Sequence, residues 1–318
     1  MKNADLTGKE TVAGVGEDRL IEIIRDACQT TEGPAVLRGI GDDCALLERG
    51  SGRVLFKTDA VVEGIHFLPD TNPARVGAKA MKRVLSDIAA SGGVPGSALV
   101  TLGVCSETRM DWVSEVYAGL VRTAHRFGVS IVGGETVECP GSRMVSIAML
   151  AEVGASGEVP GRGGARRGDA IFVTGALGGS FASEWHLDFE PRLAEGQWLV
   201  GGGWVRAMMD VSDGLGRDLG RMARRSGCGF RLRSEWIPVR PGFDIGGALR
   251  DGEDFELLMA VPSERAEELK GAWASAFPEL ALSQIGEMVD EGASDLMEAC
   301  GVRRVADEGW EHFTKTGG

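Results

Sequence analysis

At 318 residues the chain is long enough for two domains of ordinary size, and 43% apolar with 25% charged residues describes a globular protein in which no apolar run approaches the ~18 residues of a membrane span. A formal net charge of −13 opposes non-specific attraction to nucleic acid or an anionic membrane, so neither is expected as a partner. The six cysteines are scattered, without a Cys-x-x-Cys pair or zinc spacing, and read as reduced thiols. The polar start "MKNADLTGKE" lacks a secretory core, and a cytoplasmic location is expected.

In chain order, "EDRLIEIIRDACQ" (17–29) carries Leu20, Ile21, Ile24 and Cys28 at helical spacing. "GIGDDCALL" follows, with Asp42 and Asp43 side by side between apolar runs. Two such carboxylates repel by ~4 kcal/mol at about 4 Å and an effective dielectric near 20, so they need a cation, a proton or water. "VLFKTD" (54–59) reads as a strand ending at Asp59. "NPARVGAKAMKRVLSDIAASGG" opens a helix at Asn72-Pro73, sets Val76, Ala80, Val84 and Ile88 on one face and stops at Gly92-Gly93. A strand in "SALVTLGV" precedes a helix over 109–127, and strands lie in "VSIVGG" and "MVSIAMLAEV".

The glycine-rich, basic segment 154–169 is the best boundary, dividing the chain into 1–153 and 154–318. Beyond it "AIFVTG", "FELLMAV" and "LSQIGEM" read as strands and "SDGLGRDLGRMARRSG" as a helix with Leu215, Leu219 and Met222 inward; "VGGGW" (200–204) reads as a mobile loop. Strands and helices in both halves indicate two α/β or α+β domains.

The chemistry lies in carboxylates at element ends. Asp87 sits near a helix C-terminus, where the macrodipole disfavours a negative charge by roughly 0.3–1 kcal/mol, so a metal ion or an ion pair with Lys82 or Arg83 should offset it. "VGGET" ends a strand in two glycines and Glu135. In "MMDVSDGL", Asp210 and Ser212 end a strand, and Asp213 starts a helix as a metal ligand or a plain N-cap. "DGEDFELL" places Asp251, Glu253 and Asp254 before a strand. Carboxylates suit hard divalent cations that bridge phosphates, and several imply several ions. No Walker A, G-x-G-x-x-G, H-E-x-x-H, H-R-D or D-F-G sequence occurs.

The ordered set "GIGDDCALL", "KTDAVVEGIHFL", "LSDIAASGG", "GGET", "VSDGLGRDL" and "DGEDFELL", over about residues 38–313, resembles the thiamine-monophosphate kinases. Their superfamily includes aminoimidazole ribonucleotide synthetase, selenophosphate synthetase and a hydrogenase maturation protein. The resemblance implies an α/β (α+β) two-domain fold like that of aminoimidazole ribonucleotide synthetase. Residues 1–153 would bind ATP and Mg²⁺ and pair their strands into a dimeric barrel, making a homodimer, and 154–318 would complete the active site. It implies Mg²⁺-dependent transfer of the ATP γ-phosphate to thiamine phosphate. By the same resemblance Asp43, Asp59, Asp87, Glu135, Asp210 and Asp213, helped by Thr58, are the Mg²⁺ ligands, with Asp43, Asp59, Asp87, Asp210 and Asp213 as the catalytic set. Gly134, Glu135, Arg162 and Ser212 are the ATP contacts, and His66, Glu253 and Phe313 the thiamine-phosphate contacts.

From the residues alone, His66 reads equally as a packed histidine and Phe313 as packing. Three positions depart from the family: Glu135 replaces an aspartate, Lys57 stands where a hydroxyl commonly precedes Thr58-Asp59, and "HLDFEPR" replaces a more basic run. Another superfamily activity, or a non-catalytic nucleotide-binding protein, is the alternative. Against selenophosphate synthetase, the glycine-rich "LTGKETVAGVGE" has Lys9 but no cysteine.

Overall fold

The computed structural model describes residues 11–28, 33–50, 52–305 and 308–311. Phe313 lies outside them. The first half comprises α1 (Val12–Val15), α2 (Glu17–Cys28), β1 (Val36–Arg38), β2 (Ala45–Arg49), β3 (Gly52–Val62), α3 (Pro73–Ala90), β4 (Val94–Val104), α4 (Met110–Arg126), β5 (Ser130–Glu138) and β6 (Met144–Glu152). Its six strands are ordered β1-β2-β3-β6-β4-β5, an open sheet with β5 on one edge.

The helix expected from Asn72 is α3. The Asn72 side chain accepts from the backbone N–H of Ala74 and Arg75, and Pro73 fills the first turn. The chain leaves it at Gly92, whose φ of 65° suits glycine. α4 lies directly on α3: a Cβ at Gly119 would stand 1.9 Å from the Ala74 carbonyl oxygen, and one at Gly77 2.0 Å from that of Val116. Only glycine allows the two backbones to come so close. α2 spans nearly the predicted range, but none of its described residues is buried.

Period-two alternation decides what β3 presents to α3. Leu55 and Val61 are buried on that face, and Lys57 and Asp59 share it, whereas Phe56 is 44% exposed on the other. Asp59 therefore does not end its strand as expected, since β3 runs on to Val62.

The second half comprises β7 (Ala170–Thr174), α5 (Trp185–Asp188), α6 (Leu193–Gly201), β8 (Ala207–Asp210), α7 (Leu215–Ser226), β9 (Gly229–Arg233), α8 (Ile245–Arg250), β10 (Leu257–Val261), α9 (Ala266–Ala276), β11 (Leu282–Val289), β12 (Ser294–Glu298) and β13 (Gly301–Arg304). Seven strands are ordered β13-β12-β9-β11-β7-β10-β8, with β12 parallel to β9. β7 and β10 are buried throughout and β7 alternates between two cores. Ile171 and Val173 pack with α7 and α8, whereas Ala170 and Phe172 join a cluster that includes Leu85 and Ile88 of α3.

"VGGGW" is no mobile loop. Val200 and Gly201 close α6, and Trp204 is buried beside Trp198 at a ring separation of 5.5 Å. The Gly202 and Gly203 carbonyls accept from Arg265 at 3.2 and 2.6 Å, the opposite polarity from a phosphate cradle. Among the described residues no helix is long and apolar enough to cross a membrane.

Candidate active site

Three carboxylates meet where the halves join. Asp43 follows the turn before β2, Asp87 lies in the last turns of α3, and Asp210 ends β8. All three are buried, and one oxygen from each lies within 4.8 Å of the others. Arg162, in the segment between the two sheets, reaches Asp43 Oδ1 from Nε at 2.8 Å. Lys57 Nζ donates to Asp87 Oδ1 at 2.7 Å. Asp210 receives the Ser86 hydroxyl at 2.5 Å.

The cluster holds more negative charge than those contacts balance. Burial, and then Asp43, pushes the Asp210 carboxyl up to about 6. Burial raises Asp87 well above the usual carboxylate range; Lys57 pulls it down, and Asp210, Asp59 and Asp43 push it back up. The donor set is oxygen only and anionic, which fits a hard divalent cation such as Mg²⁺. The ion pair weighed for Asp87 does exist, but its partner is Lys57 rather than Lys82 or Arg83.

Asp42, beside Asp43, has separate work. Its Oδ1 accepts the Arg162 backbone N–H at 2.8 Å, and Arg38 lies 3.7 Å from Oδ2. Arg162, which serves both aspartates, and Arg38 offset only part of the anticipated repulsion, since burial and then Asp43 hold the Asp42 carboxyl above its ordinary value.

A second charged group lies further along α3. Glu253 accepts from Lys79 at 2.7 Å and from Arg83 at 2.9 Å, with His186 Nδ1 at 3.3 Å. Burial would raise the Glu253 carboxyl, but Lys79, the His186 hydrogen bond and Arg83 together hold it well below its ordinary range. Arg83 also binds Asp59 at 3.2 and 3.3 Å. Lys79 is fully buried, and burial draws it down to about 8 although Glu253 favours its charge. Glu253 and Phe255 have φ of 56° and 53°, a backbone conformation costing of order 1–3 kcal/mol per residue that persists where surrounding contacts impose it. Asp251 and Asp254 anchor this loop to the backbone N–H groups of Gly179 and Gly178.

His66 packs as a neutral ring. Its Nδ1 accepts the Val62 N–H at 3.0 Å, and burial, then Arg83, takes the imidazole down to about 3. Its carbonyl receives Lys79 at 2.5 Å, which places it beside the Glu253 group.

Other expected ligands stand apart. Thr58 points to the face of β3 opposite Asp59, paired across to Ala148. Glu135 shares that outer face, but it lies in mid-strand on edge strand β5 and three strand spacings, about 14 Å, from β3. Gly134 has a structural need for glycine, since a Cβ there would meet the Val100 carbonyl oxygen at 1.8 Å. Asp213 is no N-cap. That position belongs to Gly214, and the Asp213 carboxylate pairs with Arg221. The backbone N–H groups of Ser212 and Asp213 donate to Asp218 at 2.9 and 2.8 Å. Lys79 and Ser86 read in the sequence as ordinary helix residues, and His186 stands there only as the opening of the "HLDFEPR" run, with no role assigned to it.

Family models place this two-sheet α/β molecule among the AIR synthase related proteins. Residues 41–157 match the N-terminal domain of that family and 166–297 its C-terminal domain. The thiamine-monophosphate kinase of Rhodopirellula baltica is 37% identical over 258 residues, covering 75% of this chain and 80% of that protein. That of Aquifex aeolicus is 31% identical over 94% of this chain and 98% of its own length. The chain belongs to the thiamine-monophosphate kinase family. The solved structure of AaThiL complexed with AMPPCP and TMP superimposes with a TM-score of 0.80 at 30% identity, over 96% of this chain and all of that one. Escherichia coli HypE, a hydrogenase maturation protein, shares the fold at 22% identity, with a TM-score of 0.69 over 91% of this chain and 98% of that one.

Proposed function

We propose that this protein is a thiamine-monophosphate kinase that transfers the γ-phosphate of ATP to thiamine phosphate, yielding thiamine diphosphate and ADP. The observation that carries the reading is the meeting of Asp43, Asp87 and Asp210 from both halves beside Arg162. The acceptor is a phosphate oxygen already ionised at neutral pH, so the chain needs no strong general base. Its task is to hold two polyanions together. Asp43, Asp87 and Asp210 would hold Mg²⁺, which would supply positive charge to offset that of the phosphates. Arg162 supplies a guanidinium for the phosphates, and Ser212, two residues beyond Asp210, would be a further ATP contact. His66 and Glu253 would receive the thiamine moiety.

The proposed division is an N-terminal ATP- and Mg²⁺-binding domain, 1–153, and a C-terminal domain, 154–318, in a cytoplasmic enzyme. We also infer a homodimer whose first sheets close into a shared barrel. β5 is a nine-residue edge strand exposed along nearly all its length, Val132 by 62% and Val137 by 43%, and a long exposed edge of that kind favours pairing with a second copy. In the dimer Gly134 and Glu135, remote from the triad of their own chain, would serve at the interface, with Thr58, Asp59 and Asp213 as further ligands. Light scattering at micromolar concentration should return twice the chain mass; a monomer mass rules the barrel out.

Incubation with MgATP and either thiamine phosphate or thiamine, followed by separation of the products, tests the activity. Thiamine diphosphate from thiamine phosphate alone is expected. ATP binding without any product would instead identify a non-catalytic nucleotide-binding protein.

A further inference from the structure

Each carboxylate of the triad has a different partner. Asp43 has the Arg162 guanidinium at 2.6 Å, Asp87 has the Lys57 ammonium at 2.7 Å, and Asp210 has, among the described residues, only a hydroxyl. Strand alternation on β3 aims Lys57 into the cluster and would aim any residue at that position there. Its side chain is 20% exposed against 7% for Asp87, so the pair is held inside the molecule rather than solvated.

We propose that Lys57 is a resident cation of this site, filling the Asp87 side with its ammonium, so that the loaded site takes one divalent ion fewer than it would with a small neutral residue there. The inference rests on the kinase reading above. An ammonium 2.7 Å from Oδ1 stands where a hard cation would approach the same oxygen, at about 2.0–2.6 Å. Like charges that close repel strongly in a buried setting, so that oxygen serves one cation or the other. Lysine is suited to this as a compact point charge on a long stem, able to reach from the sheet to the helix. With Lys57 on Asp87 Oδ1 and Arg162 on Asp43 Oδ1, an incoming ion would be met by the remaining oxygens of the three carboxylates, and Asp210, bonded by a hydroxyl, has the least counter-charge of its own.

The test counts ions directly. Full-length protein and Lys57→Ser are dialysed to equilibrium against Mn²⁺ with a saturating non-hydrolysable ATP analogue, and bound Mn²⁺ per chain is read by electron spin resonance. Lys57→Ser should hold one more Mn²⁺ per chain, and Lys57→Arg, which keeps the charge, should return the parent count. With Mn²⁺ alone, Lys57→Ser should bind its tightest ion about tenfold or more tightly than the parent. Equal counts for the parent and Lys57→Ser, or an extra ion in Lys57→Arg, overturn the proposal. If Lys57→Ser does not fold, Lys57→Gln gives the same comparison with the stem retained. A parent protein that binds no Mn²⁺ even with the ATP analogue refutes the kinase reading itself, a result distinct from an unchanged count.

Discussion

Replacing Glu253 by glutamine keeps the shape of the side chain and removes the charge that Lys79 and Arg83 share. Arg83 retains Asp59, but Lys79, fully buried, keeps among the described residues only the His66 carbonyl at 2.5 Å and, where the imidazole carries its proton on Nε2, His186 Nδ1 at 2.7 Å. Removing one member of a buried ion pair costs about 3–5 kcal/mol. The lower end is expected, because Lys79 already has a pKa near 8 and can shed its proton. At ~2.1 cal/mol/K per residue, unfolding this chain carries about 0.67 kcal/mol/K, so 3–5 kcal/mol lowers Tm by about 4–8 °C. Calorimetry of the ligand-free protein at pH 7 measures this. The folded-state pKa of Glu253 is depressed, so its contribution is complete above the ordinary glutamate value of about 4.3 and is lost as pH falls below it. The parent should therefore lose Tm more steeply than the variant below about pH 4.5. A Glu253→Gln protein melting within about 1 °C of the parent at pH 7 would show that Lys79 does not depend on this carboxylate.

Asp210→Asn should leave the ligand-free protein as stable as the parent or slightly more so at pH 7.5, because it removes an ion that burial disfavours, while turnover falls by about 10²–10³; a large loss of Tm would mean that Asp210 is structural. Asp210, raised to about 6, and Asp218 and Asp254, each raised to about 7, bind protons more tightly folded than unfolded. Their contribution is complete below the unfolded value of about 3.9 and is lost as pH rises through the folded values, so ligand-free Tm should climb as pH drops from 8 towards 5; a flat profile in that range refutes it. Gly134→Ala forces a Cβ to within 1.8 Å of the Val100 carbonyl oxygen and should yield an unstable or insoluble protein; a normal Tm would show that β5 can move aside.

Much of this molecule could be read from its residues. Apolar spacing located α3 and α4, and the Asn72-Pro73 and Gly92 signals fixed both ends of α3. Asp43, Asp87 and Asp210 were singled out by family order, and they meet. What the sequence hid depends on tertiary pairing. Lys79 and His186 are 107 positions apart and become a pair only when α3 and α5 touch. The strand read as ending at Asp59 runs on to Val62 because pairing with β6 carries β3 that far, a cause that lies in the neighbouring strand. Glu135 looked like a strand end because two glycines precede it, yet β4 supports β5 on both sides of them. α6 and α9 escaped notice because their apolar residues, among them Leu199, Leu269 and Trp273, fill an interior shared by both halves rather than one face of a solvent-exposed helix.

That shared interior changes what the boundary at 154–169 means. Lys79, Arg83 and Ser86 follow one stripe of α3, and each bonds a residue from beyond the boundary: Glu253, Glu253 and Asp210. Leu85 and Ile88 of the same helix belong to one apolar cluster with Phe172, Leu199 and Met259. Chain severed at the glycine-rich segment would leave one fragment with a buried ammonium and a guanidinium facing water, and the other with a stripped sheet. The two halves are separate in pattern but not in energy, and a hinge between them would have to break charge pairs and apolar contact together. α3 belongs to the first half by sequence and serves both as their common spine.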